Sequence, residues 1–308
     1  MRNSVVNSIK KIAFKNKDVI LLSADMGFSV FESFERELPK QFLNVGISEA
    51  NMVGVASGMA LSGKKCFLYT FAPFVSMRCF EQVRLDLCYQ NLDVTLIGLG
   101  GGLTYAKEGS THQSIEDIAV MRAIPNMKVF CPADPIEAEI CVVEAYKKKG
   151  PTYIRIGKSG EPCLYNKKPE FSFGKSIYIL KGKDISILST GNMLKTAIDT
   201  SKILETNGIS VNLISMPSVK PIDYNAVASA ASKTKHIFTI EEHSIVGGFG
   251  SAVLEALSEL KIMARVKCFG INDSFIKHIG DQDFIRRKIG LDSDSISKKI
   301  LKELKDRK

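Results

Sequence analysis

Apolar runs of strand length alternate with amphipathic helical patterns along this chain, and that alternation restricts the possible folds more than any other feature. Val19-Ile20-Leu21-Leu22 and Ile185-Ser186-Ile187-Leu188 are typical of the runs, and runs of this length are far too short to span a bilayer. Strands are predicted at 18–23, 41–45, 65–70, 93–99, 127–131 and 152–156, with helices between them, notably at 48–62, 76–90 and 134–148. A stretch rich in Gly, Pro, Lys and Ser follows at 157–175. The alternation then resumes, with strands near 184–190, 209–215, 236–241 and 264–269 and helices near 192–207, 222–233 and 248–260. Such alternation points to parallel sheets covered by helices on both faces. The expected fold class is α/β: two parallel-sheet α/β domains at 1–160 and 176–308, joined by a linker at 161–175.

At 308 residues the chain is long enough for two domains with sizeable cores. The opening "MRNSVVNSIKKIAFKNKD" has lysines running through an amphipathic pattern, without a long apolar centre or a small-residue cleavage site. It therefore reads as a first helix and not as a signal peptide. Seven cysteines, at 66, 79, 88, 131, 141, 163 and 268, include no C-x-x-C pair. Mostly set in apolar segments, they fit buried thiols in a reducing cytoplasm. Four histidines without clustered ligand spacing argue against a structural metal held by this chain alone. The net charge of +9 is scattered or gathered in the terminal "SKKILKELKDRK", which reads as a solvated helix face. No nucleic-acid motif accompanies it, and a mild basic balance suits anionic small substrates such as sugar phosphates.

In open α/β sheets ligands bind beyond the carboxyl ends of the strands. Four loops qualify: Ala24-Asp25-Met26-Gly27, Gly46-Ile47-Ser48-Glu49, the stretch 70–74, and the long polar stretch 98–113 with Glu108, Ser110, Thr111, His112 and Gln113. The second loop poses a problem. In "NVGISEANMVGVASGMA" a single carboxylate, Glu49, stands at a buried-looking junction where a strand pattern passes into a helix, with Ser48 as candidate N-cap. A carboxylate there is costly unless something pairs with it. It can simply complement the helix dipole, or it can serve chemistry. The glycine run Gly100-Gly101-Gly102 matches neither G-x-x-x-x-G-K-[ST] nor a G-x-G-x-x-G at a first strand, which excludes P-loop and Rossmann readings.

Read in order, these segments resemble the carboxyl half of a transketolase. "GISEANMVGVASGMA" is similar to the pyrimidine-binding motif of thiamine-diphosphate enzymes, and "FAPFVSMRCFEQVRLD" to the aromatic-rich segment after it. "KEGSTHQSIEDIAVMRAIPNMKVFCPAD" resembles the substrate-histidine loop of transketolases and deoxyxylulose-phosphate synthases, and "EEHSIVGGFGSAV" the signature of the transketolase carboxyl-terminal domain. The resemblance runs colinearly over nearly the whole chain. It implies thiamine diphosphate as cofactor, with Glu49 as the catalytic acid that hydrogen-bonds the aminopyrimidine. A carboxyl in an apolar junction can stay protonated and donate. It implies Phe74 as the aromatic on which the pyrimidine stacks, Phe71 beside it and Asp25 of "SADMG" near the cofactor. His112 matches the histidine that contacts substrate oxygens and moves protons, and Glu108 an acidic residue before it. Arg78 and Lys158 stand where relatives bind substrate phosphate.

The sequence also departs from the family pattern. Ala50 follows Glu49 where larger transketolases often carry histidine. Lysine at 158 lacks the planar fork of an arginine. No Gly-Asp-Gly motif with a downstream asparagine occurs in a suitable context, although thiamine-diphosphate enzymes use that motif to hold the metal. The resemblance therefore implies one half of a split enzyme. Mg2+, or Ca2+ or Mn2+ in its place, would be held by an N-terminal-half partner subunit carrying the diphosphate site, and this chain would self-associate at the core of a heterotetramer. Its activity would be transfer of a two-carbon ketol unit. A carboligase like deoxyxylulose-phosphate synthase, or the beta chain of a 2-oxoacid dehydrogenase component, are the alternatives, with a non-catalytic paralogue a third class. Neither nucleic acid nor membrane is expected as a partner.

Overall fold

The computed structural model describes residues 1–158 and 160–306. Ser159, at the end of the expected first domain, and Arg307 and Lys308 at the end of the basic tail, lie outside the described residues. In chain order the strands are β1 (Val19–Ser23), β2 (Phe42–Asn44), β3 (Lys65–Phe71), β4 (Val94–Leu99), β5 (Lys128–Phe130), β6 (Thr152–Ile156), β7 (Ile177–Leu180), β8 (Ile185–Ser189), β9 (Val211–Ser215), β10 (Ser218–Lys220), β11 (His236–Ser244) and β12 (Arg265–Ile271). They form two sheets, ordered β10-β5-β6-β4-β3-β1-β2 and β12-β11-β8-β9-β7. Every residue of β1, β4, β6, β8 and β9 is buried. Continuous apolar strands of this kind are what a parallel sheet covered on both faces requires.

Two edges depart from the purely parallel expectation. Strand β7 runs antiparallel to β9, and β10 runs antiparallel to β5. The second is unexpected on another count, since β10 comes from the later half of the chain and completes the first sheet. The Cys131 amide donates to the Pro217 carbonyl at 2.7 Å, which carries the ladder across. Three residues, Ser-Val-Lys, are too short a run to register as a strand in the sequence.

The packing joins the halves. On one face of the first sheet lie the helices Arg2–Ala13 and Pro135–Lys147, around Val5, Ile9, Leu21, Phe67 and Val142. The other face packs on the helix Glu49–Leu61 and on residues 74–89, a helical stretch widened into π-turns at Phe74–Arg78 and Val83–Tyr89. This second cluster continues through Leu188, Ile214 and Phe249 of the later half, so one apolar core is shared. Fully buried leucines such as Leu22 and Leu188 each contribute roughly 1.5–3 kcal/mol. The terminal helix Ser293–Lys305 buries Ile296 and Ile300, while Lys298, Lys299, Lys302 and Lys305 face solvent, as its composition predicted. All seven cysteines are free thiols, five of them buried.

The linker stretch has no helix or strand among its described residues, yet carboxylates on the helix Pro135–Lys147 and at its cap fasten it down. Asp134 caps that helix with one oxygen, accepting from the Ile136 and Glu137 amides at 2.9 and 2.8 Å, and takes the Leu164 amide on the other at 2.8 Å. Glu144 accepts from the Phe173 amide at 3.2 Å. Glu137 accepts from the Ala133 amide at 2.6 Å, from Ser215 Oγ at 2.8 Å and from the Tyr165 hydroxyl. One buried carboxylate thus ties the helix, the linker and β9 together.

Burial pushes the Glu137 carboxyl up to about 7, against the pull of its donors. Between the ordinary glutamate value and about 7 the folded chain keeps a proton that the unfolded chain releases, so this group's stabilisation is full below that window and is lost as pH rises through it. Glu137→Gln, which mimics the protonated form, should therefore gain stability relative to wild type between about pH 5 and 7 and hold the gain above that. Thermal denaturation of both proteins across this range measures the difference, and a difference independent of pH would contradict it.

Candidate active site

The carboxyl ends of β1, β2, β3 and β4 open on one side of the first sheet. Glu49 is the first residue of the helix Glu49–Leu61, which leaves β2 through Gly46. Gly46 takes a positive φ of 76°, a turn that favours glycine. Ser48 occupies the cap position but does not cap with its side chain; its hydroxyl donates backward to the Val45 carbonyl at 2.9 Å. Glu49 is only 4% exposed.

Its pairing partner is Arg78. Nη1 of Arg78 donates to Glu49 Oε2 at 2.8 Å, from a side chain that remains 52% exposed. Glu49 Oε1 receives no hydrogen bond among the described residues. The same guanidinium lies 4.2 Å from the centroid of the Phe74 ring. Contacts of this type are worth about 0.5–1 kcal/mol at exposed sites. Arg78 therefore covers the ring and neutralises the carboxylate at once. Behind the pair, the buried Cys79 thiol is pushed up to about 12, chiefly by burial and then by the Glu49 charge, and stays protonated.

Around Phe74 the aromatics form a compact cluster. Phe71 meets Phe74 edge-on at 5.4 Å and Tyr105 at 5.1 Å. His112 stands against both phenylalanines, 5.3 Å from Phe71 and 5.4 Å from Phe74, and its Nδ1 lies 3.0 Å from the Thr111 hydroxyl. Phe71, Phe74 and His112 are all half-buried. Lys158 is exposed and places Nζ 5.9 Å from the Tyr105 ring. Six predicted residues, Glu49, Arg78, Phe74, Phe71, His112 and Lys158, are thus linked through ring and ion contacts.

Asp25 and Glu108 stand apart from that chain of contacts, and both are exposed. Asp25 adopts φ 51° and pairs reciprocally with Asn44: its amide donates to Asn44 Oδ1 at 3.0 Å, and Asn44 Nδ2 donates to Asp25 Oδ1 at 3.1 Å. The Gly46 amide also reaches Asn44 Oδ1, at 3.0 Å. Asn44 therefore locks the β1 exit to the turn before Glu49. The sequence reading missed Asn44, although an amide at the end of a strand, just before a glycine turn, was a usable signal. It also missed Tyr105, the one aromatic of a long polar loop, whose phenol burial pushes up.

A planar aminopyrimidine fits what these residues offer: an aromatic face, a buried carboxylate with one oxygen unused, and an imidazole against the same rings. The Arg78 head, itself flat and rich in N–H groups, lies where such a ring would stack. No group of three or more His, Cys, Asp or Glu side chains is arranged to hold a metal ion among the described residues. Nor is any helix among them long and apolar enough to cross a membrane.

Parallel strands that present a buried acid and a half-exposed aromatic cluster at their carboxyl ends have the form of a pyrimidine-binding domain. Residues 1–161 match the transketolase pyrimidine-binding domain, and residues 174–296 match the transketolase C-terminal domain. The chain belongs to the transketolase family. It is 34% identical to a putative transketolase C-terminal section of Methanocaldococcus jannaschii, over 99% of this chain and 96% of that protein. It is 36% identical to one subunit of the apulose-4-phosphate transketolase of Phocaeicola vulgatus, over 99% of this chain and 97% of that protein. A solved split gene transketolase, described as an inactive beta4 tetramer, superimposes with a TM-score of 0.90 at 36% identity, covering 98% of this chain and 97% of that one.

The Glu49–Arg78 pair is directly measurable. Arg78→Met strands a buried carboxylate and should destabilise the chain by about 1–3 kcal/mol. A double-mutant cycle with Glu49→Gln, followed by denaturant unfolding, should show most of that loss recovered in the double variant. A coupling within about 0.5 kcal/mol of zero would contradict the pair.

Proposed function

We propose that this chain is the pyrimidine-side subunit of a two-chain, thiamine-diphosphate-dependent transketolase that moves a two-carbon ketol unit between sugar phosphates. The observation that carries the reading is Glu49: a buried carboxylate at the strand-to-helix turn, linked through Arg78 to a half-buried Phe74 that His112 also meets. Thiamine diphosphate, when bound, supplies the nucleophilic carbon and electron sink that ketol transfer needs. The residues of this chain bind and move protons. Phe74 takes the pyrimidine on the face that Arg78 covers, with Phe71 buttressing it edge-on. Glu49 shares a proton with the ring nitrogen, which requires the Arg78 head to withdraw from both the carboxylate and the ring. Asp25, held by Asn44, borders the cofactor. His112 gives and takes a proton at substrate oxygens, with Glu108 on the same loop. Lys158, and Arg78 once released, provide cations for the substrate phosphate.

An N-terminal-half partner would supply the diphosphate site and its Mg2+, Ca2+ or Mn2+ ion. Two copies of this chain with two partners would make a heterotetramer whose sites lie between chains, with domains at 1–160 and 176–308 about the linker 161–175. Reduced, mostly buried thiols suit the cytoplasm. Relatives named for apulose-4-phosphate and for 6-deoxy-6-sulfo-D-fructose support sugars that carry an anionic group, phosphosugars foremost, as the substrate class.

The test uses the assembled enzyme. Glu49→Gln should leave secondary structure and assembly mass unchanged and slow deuterium uptake at the thiazolium carbon by about 100-fold or more. Unchanged uptake would remove Glu49 from the mechanism. His112→Ala should lower kcat/KM for the donor ketose while leaving thiamine diphosphate affinity within about twofold, as expected for a group that acts on substrate. Loss of cofactor affinity with unaltered donor kinetics would refute the role given to His112.

A further inference from the structure

The "EEHSIVGG" stretch lies far from Glu49 in sequence and takes no part in the chemistry just described, yet it holds a tightly bonded carboxylate. Glu242 lies near the end of the buried run of β11, with its side chain fully shielded from solvent. Oε2 accepts from Asn192 Nδ2 at 3.1 Å, from Gln282 Nε2 at 2.8 Å and from the Leu103 amide at 3.0 Å, and Oε1 accepts from Arg286 Nε at 2.5 Å. Burial alone would raise the carboxyl, but the Arg286 charge and hydrogen bond outweigh it, and the group is held below the ordinary glutamate value. Glu242 is therefore ionised.

The Leu103 bond matters most, because it crosses between the halves of the chain. Leu103 opens the loop that carries His112. That loop is closed at its stem by two backbone bonds, Gly102 amide to Ser114 carbonyl at 2.8 Å and Ser114 amide to Gly102 carbonyl at 2.9 Å. Both sides of the stem are gripped. Glu242 takes the Leu103 amide on one side. On the other, Arg155 Nη2 donates at 2.9 Å both to the Ser114 carbonyl and to the Glu242 carbonyl. The Ser244 amide adds a third tie, donating to the Ile115 carbonyl at 2.8 Å. The approach is so close that a Cβ on Gly102, whose φ is 67°, would stand 2.4 Å from Glu242 Oε2. This accounts for one glycine of the run that superficially looked like a phosphate loop.

We propose that Glu242 is a positioning residue for His112: the second domain, through this carboxylate, sets where the substrate-facing loop stands above the aromatic cluster. The proposal rests on the role given to His112 above. A rigid stem is what such a loop needs, since a misplacement near 1 Å can cost as much as about 100-fold in rate. Asn192, Gln282 and Arg286 also line a cavity of about 530 Å³ on the outer side of Glu242. These three side-chain donors to Glu242 all belong to residues outside the loop.

The experiment has two arms in the assembled enzyme. In the first, hydrogen exchange is read on peptides covering 103–114 in wild type and Glu242→Gln. The variant should exchange about 10-fold faster there and unchanged at 49–61, and this arm stands whether or not the enzyme transfers ketol units. In the second, Glu242→Gln should lower donor kcat/KM by about 10-fold or more, leave thiamine diphosphate affinity within about twofold, and have less than a twofold effect in a His112→Ala background. Should Glu242→Gln fail to fold, Asn192→Ala and Gln282→Ala, each removing one donor to Oε2, carry both arms with smaller changes in the same direction. Unchanged exchange at 103–114, or a loss of donor kcat/KM that persists in full without His112, would overturn the proposal. Faster exchange in an enzyme that processes no ketose would uphold the mechanical link and refute the function instead.

Discussion

The guanidinium of Arg155 is the contact on which much of this structure depends. It sits 5% exposed in the interior of the first sheet, on β6, where an unpaired charge would be prohibitive. It is not unpaired. Nε donates to Asp117 Oδ2 at 2.8 Å, where Tyr153 also donates at 2.6 Å, and Nη2 reaches the carbonyls of Ser114 and Glu242. Gly101 has no room for a side chain because Arg155 passes beneath it; a Cβ there would stand 2.5 Å from Cγ. A single buried cation thus fixes the start of the helix Asp117–Ala123, the stem of the His112 loop and the end of β11. Removing it would strand Asp117 as a buried charge and free three backbone segments together.

Around that hub the molecule is an assembly of carboxylates, each supplied with donors. Glu137 takes three, Glu242 four, and Glu241 two, the amides of Phe249 and Gly250 at 2.6 and 2.7 Å, so that it caps the next helix. Glu49 is held less completely. It has one partner, that partner is half exposed, and one of its oxygens receives no hydrogen bond among the described residues. Asp117 likewise leaves Oδ1 without a partner, but it is fully buried against Arg155 and Tyr153, whereas Glu49 stands at the carboxyl ends of the strands. Incomplete pairing and a position where open α/β sheets bind ligands coincide at Glu49.

Much of this was legible in the sequence. The alternation of apolar runs gave ten of the strands to within a few residues, because parallel strands buried on both faces leave an uninterrupted apolar signal. Glu49, Phe74, Phe71, Arg78, His112 and Lys158 were picked out from their motifs, and the structure brings them into one chain of contacts. What escaped was whatever depends on contact between distant segments. Strand β10 is too short to carry a pattern, and it exists because β5 offers an edge. The stretch 161–175 has a linker's composition, but its fastening to Asp134, Glu137 and Glu144 is set by tertiary geometry. Arg78 was legible as a cation near the site, but its place on Glu49 and over Phe74 was not, because that requires the π-turn that begins at Phe74. Glu242 was visible only within the "EEHSIVGGFGSAV" signature, and its hold on Leu103 bridges 139 residues.

The central claim is that this chain carries only part of a catalytic site: an acid and an aromatic platform for the pyrimidine, with the diphosphate and metal held elsewhere. On the proposed function, the cofactor would be neither anchored nor bent without the second chain, and the gain from proximity would be lost. Ketol-transfer turnover should be measured on the purified chain with saturating thiamine diphosphate and Mg2+, before and after adding an N-terminal-half partner, with the mass of each species recorded. The account predicts no turnover by the chain alone, and turnover together with a two-plus-two assembly once the partner is added. Robust ketol transfer by the chain alone would contradict it.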